Sequence, residues 1–472
     1  MTNLPISRRE CRAWAAQPAL LAALLLGAAP FLATAAPAPD EAVRDFSAYL
    51  RMQKIDRDSR GVIEESGGWS DAKERMMVRV LARLPAPASL QSDWAAAAAP
   101  VARAGAETAV ADSTVRVRGR AVFVAPQVLP AEIAELAGAP GYDLVRIVDE
   151  NGAVVDVATP RAPRAWPRWQ PIDEPAAAVG LPLTAGAGPL PVRGEPAAAW
   201  PEARHDLLLA AASVAWFPPT PLGRLGMDYG LFDGVVDNRK IVAGDTEAFY
   251  AVLAAVAAAD AAAIVRDTGG RTDILPLLDM RQKWFDAHRG DPVLIAGIAR
   301  KATRITLDDP FRRRQLGTDH YWELEVFVDT EPFEADGKVR DRYPVVCCVR
   351  ELPAGMPNGD SIAEEVSVPA FAFKRYSYPL QDVLISSSQG DTRTAGERLY
   401  LPMVIGRRAA WKPAPSVQGA TDVLFWIFSA ITGLVAAFVA YGAWSAGRTA
   451  KRLAEQRRSQ LPDRVRLPGD ES

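Results

Sequence analysis

Residues 423–444 read VLFWIFSAITGLVAAFVAYGAW, 22 residues without a charge. At about 1.5 Å per residue an α-helix of that length covers roughly 33 Å, enough to cross a bilayer's hydrocarbon core. Trp426, Tyr441 and Trp444 lie towards its ends, where amphipathic rings favour the headgroup region. A segment of this kind needs lipid around it, so the rest of the chain is read as something tethered.

The N-terminus carries a second apolar signal. Arg8, Arg9 and Arg12 form a basic region, Ala19 to Leu32 is apolar apart from Pro30, and Ala33-Thr34-Ala35 fits the small-x-small cleavage rule. Residues 1–35 are therefore predicted to be a secretory signal peptide, because the apolar core is short and ends on a cleavage pattern. An uncleaved signal anchor is the rival reading. Ser7-Arg8-Arg9 hints at a twin-arginine signal, but Glu10-Cys11-Arg12 stands where such signals usually have apolar residues. Cys11 precedes the apolar run and is not a lipoprotein cysteine.

Arg448, Lys451, Arg452, Arg457 and Arg458 follow the span, whereas Asp422 precedes it and Lys412 is the nearest basic residue upstream. The positive-inside rule predicts a cell-membrane protein with its N-terminal body outside, periplasmic or extracellular, and residues 448–472 as a basic cytoplasmic tail. Charge agrees. The chain is formally −3; with the signal (+2) and the tail (+3) set aside, the ectodomain is −8. An acidic body lacks the basic footprint that nucleic acid requires. The tail could touch anionic lipid or simply hold the topology. Beyond Cys11 the only cysteines are the adjacent Cys347 and Cys348, with no CxxC pair. That supports neither a zinc site nor a disulfide scaffold. As strand neighbours the two point to opposite faces, and a vicinal disulfide between them would be strained.

The body exceeds one typical domain and reads as two units. VRVRGRAVFV around Gly119 and VLIAGIARKATRI around Gly297 each set a glycine among alternating apolar residues. LLLAAASVAWFPPTP and LPMVIGRRAAWKPAP each end on Ala-Trp before prolines, at Trp216 and Trp411. The order is the same in both halves, with offsets of 178 and 195 residues. A helical lead-in precedes each glycine strand: SDAKERMMVRVLARL with Ser70 as N-cap, and GDTEAFYAVLAAVAAADAAAIV with Asp245 as N-cap. Unit 1 is placed at 40–221 and unit 2 at 222–415. Chance similarity in an Ala-rich chain is the competing account.

Several strands are legible. GYDLVRIVDENGAVVDVATP reads as a hairpin with a type I′ Asn151-Gly152 turn. HYWELEVFVDTEPFEADGKVRDRYPVVCCVREL is its counterpart, with Tyr321, Leu324, Val326 and Val328 apolar and Asp336-Gly337 in the loop. EEVSVPAFAFKRYSYPL adds a strand with Val368, Phe371, Phe373 and Tyr376. Residues 85–109 read as a poorly packed Ala-rich helix or linker, and 171–201, rich in Pro, Gly and Ala, as a long loop. The greater aromatic content of unit 2 makes its module the better formed of the two. Some five short strands with a helix and a first-strand glycine resemble a small, partly open barrel of the oligonucleotide/oligosaccharide-binding type. The resemblance is architectural and implies no function. The fold class is thus α+β: two tandem units, each a helical lead-in plus an OB-like β-barrel module, then one C-terminal transmembrane helix.

The densest polar stretch, GMDYGLFDGVVDNRKIVAGD, holds Asp228, Asp233, Asp237 and Asp245 with Asn238 and Arg239. Clustered carboxylates can bind calcium or provide acid–base pairs, and Asp228, Asp233 and Asp237 are the metal-ligand candidates. The spacing does not match a calcium loop, and a turn-rich lead-in is the plainer reading. His205, His288 and His320 show no metal-ligand spacing. Arg312-Arg313-Arg314 could grip an acidic partner or phosphate, or form a solvated loop paired to Asp308 and Asp309. There is no G-x-S-x-G, no P-loop and no G-x-G-x-x-G; Gly67-Gly68 and Gly269-Gly270 are turn doublets. No cofactor is implied. The expected function is a non-catalytic envelope binding or scaffold protein, its partners the membrane and another envelope protein. The alternative is a hydrolase or metal-dependent enzyme using Asp228–Asp245. A third reading, a sensor, would have to act through another protein, because the tail holds no domain.

Overall fold

The computed structural model describes residues 45–64, 69–101, 113–185, 200, 205–279, 281, 283–335, 338–379, 398–413 and 418–459. The signal peptide, Cys11, Gly67-Gly68, Asp336-Gly337 and the tail beyond 459 lie outside the described residues.

Four helices lead in: α1 (Phe46–Met52), α2 (Arg57–Glu64), α3 (Asp71–Arg83) and α4 (Ala88–Ala97). Ser70 caps α3 as expected, its Oγ accepting from Lys73 N at 3.3 Å. Met77, Val80 and Leu81 of α3 face the core and are almost wholly buried, the one-sided spacing of an amphipathic helix. The Ala-rich segment expected to pack poorly is instead docked: α4 buries Leu90 and Trp94, and the Trp94 ring lies 5.0 Å from Phe46 and 4.8 Å from Tyr49. Two large side chains spaced four residues apart suffice to seat a helix otherwise made of alanine.

The first sheet contains β1 (Ala99–Pro100), β2 (Val115–Val128), β3 (Gly141–Asp149), β4 (Val154–Thr159), β5 (Pro171–Ala185) and β6 (Leu207–Trp216), with α5 (Ala131–Ala137) between β2 and β3. Five strands close on themselves in the order β2-β3-β4-β6-β5-β2. β4 and β6 run parallel; the other neighbours round the ring are antiparallel. The first module is therefore a closed barrel, not a partly open one, and not a poorly formed one. Mostly Val and Ala side chains fill it, among them Val117, Ala121, Val145, Val157 and Ala178, with Leu209 beside them.

Two expectations fail here. Residues 171–185 are not loop but β5, which closes the barrel by pairing with β2 and β6. Proline lacks an N–H yet keeps its acceptor: Pro175 O takes the N–H of Phe217 at 3.0 Å. Composition alone, read as turn-forming, hid a strand that alternates burial from Pro175 to Gly180. The β3–β4 turn is also not type I′. Gly152 N bonds Asp149 O at 3.1 Å and Ala153 O accepts from Asp149 N at 2.9 Å. Only Gly152 has positive φ there, at 86°, and Asp149 Oδ1 satisfies the Asn151 and Ala153 N–H groups. The carboxylate of Asp149, two residues before the Asn-Gly pair, organises a longer loop.

A short helix α6 (Pro221–Arg224) and a 3₁₀ turn (Tyr229–Gly234) then lead to α7 (Ala243–Ala255), a 3₁₀ turn (Val256–Ala258) and α8 (Ala261–Thr268). The apolar run read as one helix breaks and bends by 106°, because Asp260 turns its side chain to cap Ala262 N at 3.0 Å. Asp245 sits inside α7 rather than at its N-cap, three residues after Val242, and reaches back to Val242 N at 3.1 Å. Helices α9 (Leu275–Leu278) and α10 (Trp284–His288) precede the second sheet.

That sheet is built from β7 (Pro292–Thr306), β8 (His320–Ala335), β9 (Lys338–Glu351), β10 (Glu364–Pro379), β11 (Arg398–Arg408) and β12 (Ala410–Lys412), with α11 (Pro310–Leu316) between β7 and β8. Its order is β11-β9-β8-β7-β10-β12, with β10 also pairing β11. Its core is aromatic, holding Phe249, Phe285, Phe371 and Phe373. Cys347 and Cys348 are free and both fully buried, since helices cover the outer face as strands enclose the inner one. Burial pushes both thiols up, away from reactivity. The arginine triplet is helical, not loop: Asp309 caps α11 at Phe311 N.

The chain ends in α12 (Gln418–Ser459), 42 residues long. None of its apolar window is buried against protein, which is what a helix packed only by lipid requires. At roughly 63 Å it outruns the hydrocarbon core. Arg448 stands 3.9 Å over the Trp444 ring, where the uncharged run ends.

Candidate functional site

The four aspartates lie along the connection between the two sheets, and each goes to a different partner. Asp228 Oδ1 accepts from Trp216 N at 2.8 Å and Gly230 N at 2.9 Å, tying the end of β6 to the 3₁₀ turn. Asp233 accepts from Arg164 N at 2.9 Å. Asp237 takes Arg375 N at 2.9 Å and the Arg289 guanidinium at 3.1 Å. Asp245, wholly buried, takes Val236 N, Val242 N and the Lys374 ammonium, the last at 2.6 Å. Asn238, at φ 63°, offers its Oδ1 to Arg375 Nε at 2.6 Å. The stretch is a clasp: carboxylates spaced for turns satisfy backbone N–H groups and arginines where chain segments meet.

Aromatic rings run through the same junction. Trp166 meets Trp216, Trp216 meets Tyr229, Tyr229 meets Phe232, and Phe232 meets Phe373, with centroids 5.1–6.5 Å apart. The Tyr229 hydroxyl accepts from Thr220 Oγ1 at 2.7 Å and donates to Gly290 O at 3.3 Å. Burial pushes that phenol up to about 12. Desolvation likewise raises Asp228 to about 6, with the nearby Asp233 charge adding to it, and it raises Asp233 as well. A carboxyl near 6 has the affinity of a proton carrier. Its bonds, however, are spent on backbone.

The histidines lie apart from this stretch. His205 Nδ1 pairs with Asp156 at 3.1 Å inside the first sheet, where Asp156 also holds Arg146 at 2.8 Å. His288 stacks on Trp284 at 4.5 Å. His320 bonds Asp319 at 2.6 Å. Arg312 grips the Glu247 carboxylate and lies 4.7 Å over the Tyr250 ring; its contact with Asp309 is the longer one, at 3.9 Å. Among the described residues no group of three His, Cys, Asp or Glu is placed to hold a metal.

Two buried charge sets went unread. Arg146 and Asp156 are register partners across the β3–β4 hairpin, a pairing visible as one charge of each sign mirrored about the turn. Lys374 is a lone lysine inside an apolar strand, and its depressed ammonium, disfavoured by burial, answers Asp245.

Two further pairs repeat. Trp216 Nε1 donates to Glu174 Oε2 at 2.8 Å, and Trp411 Nε1 to Glu364 Oε2 at 2.7 Å. A Cβ on Gly119 would sit 2.0 Å from Val148 O, and one on Gly297 2.2 Å from Phe327 O. All four landmark residues thus carry close contacts. Comparison with protein-family models and with curated proteins returns no match.

Proposed function

We propose that the chain is a single-pass, membrane-anchored envelope protein whose body, duplicated at about 40–221 and 222–415, binds or holds a partner without catalysing a reaction. The observation that carries the duplication is a row across three strands. Gly119 pairs Ala176, and Ala176 pairs Trp216. Gly297 pairs Val366, and Val366 pairs Trp411. In each row the indole reaches a glutamate two residues before the middle position. Bulges recur at matching places, Val122 with Arg300 and Leu183 with Phe373. β9 and β11 run parallel as β4 and β6 do, and the β10–β11 pairing supplies the same ring closure. Shared registers and bulges favour duplication over chance similarity in an Ala-rich chain.

The anchor reading rests on the uncharged helix and the basic residues beyond it, which favour an outside body and an inside tail. The non-catalytic reading rests on the aspartates, since a hydrolase needs carboxylates that converge on a substrate and these diverge into backbone and arginine contacts. Signal-peptide cleavage is part of the same proposal.

Crosslinking in intact envelopes followed by purification of the full chain tests it. The expected result is a stoichiometric envelope partner retained by wild type and by Asp233→Asn. A purified, folded protein with hydrolytic activity that vanishes in Asp228→Asn and Asp237→Asn would overturn it in favour of an enzyme.

A further inference from the structure

We infer that one face of α12, where the helix leaves the membrane, holds the headgroup of an anionic phospholipid in the leaflet on the tail side. The inference names a lipid partner for the anchor proposed above and rests on that reading.

α12 does not stop where its apolar run stops. It continues unbroken from Trp444 to Ser459, roughly 22 Å at about 1.5 Å per residue. Residues three or four apart share a helix face, so the unbroken helix sets Tyr441, Trp444, Arg448, Lys451 and Arg452 along one line. The rings come first. Their centroids lie 6.0 Å apart, and Tyr441 and Trp444 are 65% and 54% exposed. The cations follow. Arg448 lies about 6 Å beyond Trp444 along the axis and Arg452 about 12 Å beyond it, and the Arg448 guanidinium covers the indole. The polar layer on each side of a bilayer is roughly 5–8 Å thick. With the rings at its inner boundary, Arg448 stands within it, and the long stems of Lys451 and Arg452 reach back to its outer edge.

The occupant follows from what these groups demand at these depths. Glu455 is the one acidic residue between Asp422 and the end of α12, and among the described residues none of the three cations is in an ion pair. A guanidinium with a free fork favours phosphate, which it meets through two parallel bonds. The exposed rings call for an apolar partner at their own level. A phospholipid presents hydrocarbon at the one level and phosphate at the other. An acidic peptide or a free phosphate would serve the cations and leave the rings bare.

Two contrasts separate this face from a charge run that only sets topology. The positive-inside rule counts Lys and Arg and is indifferent to the face they occupy. Yet the three nearest the bilayer share the face of the rings, while Arg457, nine residues on from Arg448, falls on the opposite side. The other end of the span also carries an indole, Trp426, but no Lys or Arg stands between Lys412 and Arg448. Rings and cations are combined at one end alone.

The test uses the purified full chain, stripped of lipid in detergent, supplied with phosphatidylglycerol or phosphatidylcholine of the same acyl chains, and observed intact by native mass spectrometry. Phosphatidylglycerol should be retained roughly tenfold better or more. A cation at an anionic surface is worth about fivefold, so Arg448→Gln should cut that retention about fivefold, and Arg448→Gln with Arg452→Gln should bring it to the phosphatidylcholine level. Arg448→Lys with Arg452→Lys should keep the preference, Arg457→Gln should change it less than about twofold, and excess inorganic phosphate should not displace the lipid. Thermal melting checks that the body of each variant is folded. Equal retention of the two lipids, a loss in Arg457→Gln as large as in Arg448→Gln, or displacement by inorganic phosphate would overturn the site and leave the anchor standing. A chain that stays soluble without detergent and retains neither lipid would overturn the anchor itself.

Discussion

The first sheet wraps its strands around Ala121, Ala176, Ala178 and Ala211 with valines between; the second surrounds Phe371 and Phe373, backed by Phe249 and Phe285 from its helices. Yet glycine, bulges and indole-to-glutamate bonds fall at matching register in both. The contrast teaches that closure here is set by backbone devices, a glycine where strands press together and a bulge where they turn, while core volume is free to vary.

The largest expected effect would break the contrast at its buried charges. Asp245→Ala leaves the Lys374 ammonium wholly buried without its carboxylate, and about 3–5 kcal/mol should be lost. Urea unfolding followed by hydrogen exchange should assign that loss to the second sheet, whereas Asp156→Ala, which removes the buried carboxylate shared by Arg146 and His205, should assign a comparable loss to the first. Equal spreading of either loss over both sheets would mean they do not unfold as separate units.

Next come the glycines. Gly119→Ala and Gly297→Ala each force a Cβ against a strand carbonyl, and each should cost about 1–3 kcal/mol. Matching losses in thermal melts sharpen the claim of one repeated unit, and a neutral Gly297→Ala beside a damaging Gly119→Ala breaks it.

Asp228 at the junction gives a pH signature. Its folded-state affinity for a proton is raised to about 6 from 3.8, so between those values the folded state binds more protons than the unfolded. Stability from this group is therefore greatest at low pH and is lost as pH rises through about 6. Both backbone bonds land on Oδ1, leaving Oδ2 for the proton. Measured from pH 7 to pH 5, wild type should gain about 1 kcal/mol relative to Asp228→Asn; parallel pH profiles would contradict it.

The smallest effect is the paired indoles. Trp216→Phe and Trp411→Phe each remove one donor to a glutamate and should cost about 1 kcal/mol apiece beyond lost packing. Unequal values would show that β12, which carries Trp411 as a separate short strand, is held less firmly than the end of β6.

How much of this was legible follows from where the signal lay. Gly119 and Gly297 stood out because each sits among alternating apolar residues, and Trp216 and Trp411 because each ends an apolar run on Ala-Trp before prolines. The Ser70 cap and the break points at β3, β8 and β10 were likewise visible. β5 was not, because Pro171, Pro175, Pro182 and Gly180 mask a strand whose N–H demands are met by the carbonyls around them. The bend after Ala258 was hidden because alanine carries no preference against continuing a helix; only Asp260 marks it. At the candidate site the aspartates were legible as turn formers, but their partners Lys374, Arg289 and Arg164 lie far along the chain, and long-range pairing leaves no local pattern. Trp94 was lost in an Ala-rich run for the same reason.

Everything proposed about function depends on which side of the membrane the body occupies. Protease added to spheroplasts tests this most directly. The account predicts digestion of the body between Asp45 and Lys412 with a protected fragment running from α12 into the basic tail. A protected body with a cleaved tail, or a chain released without detergent, would contradict it.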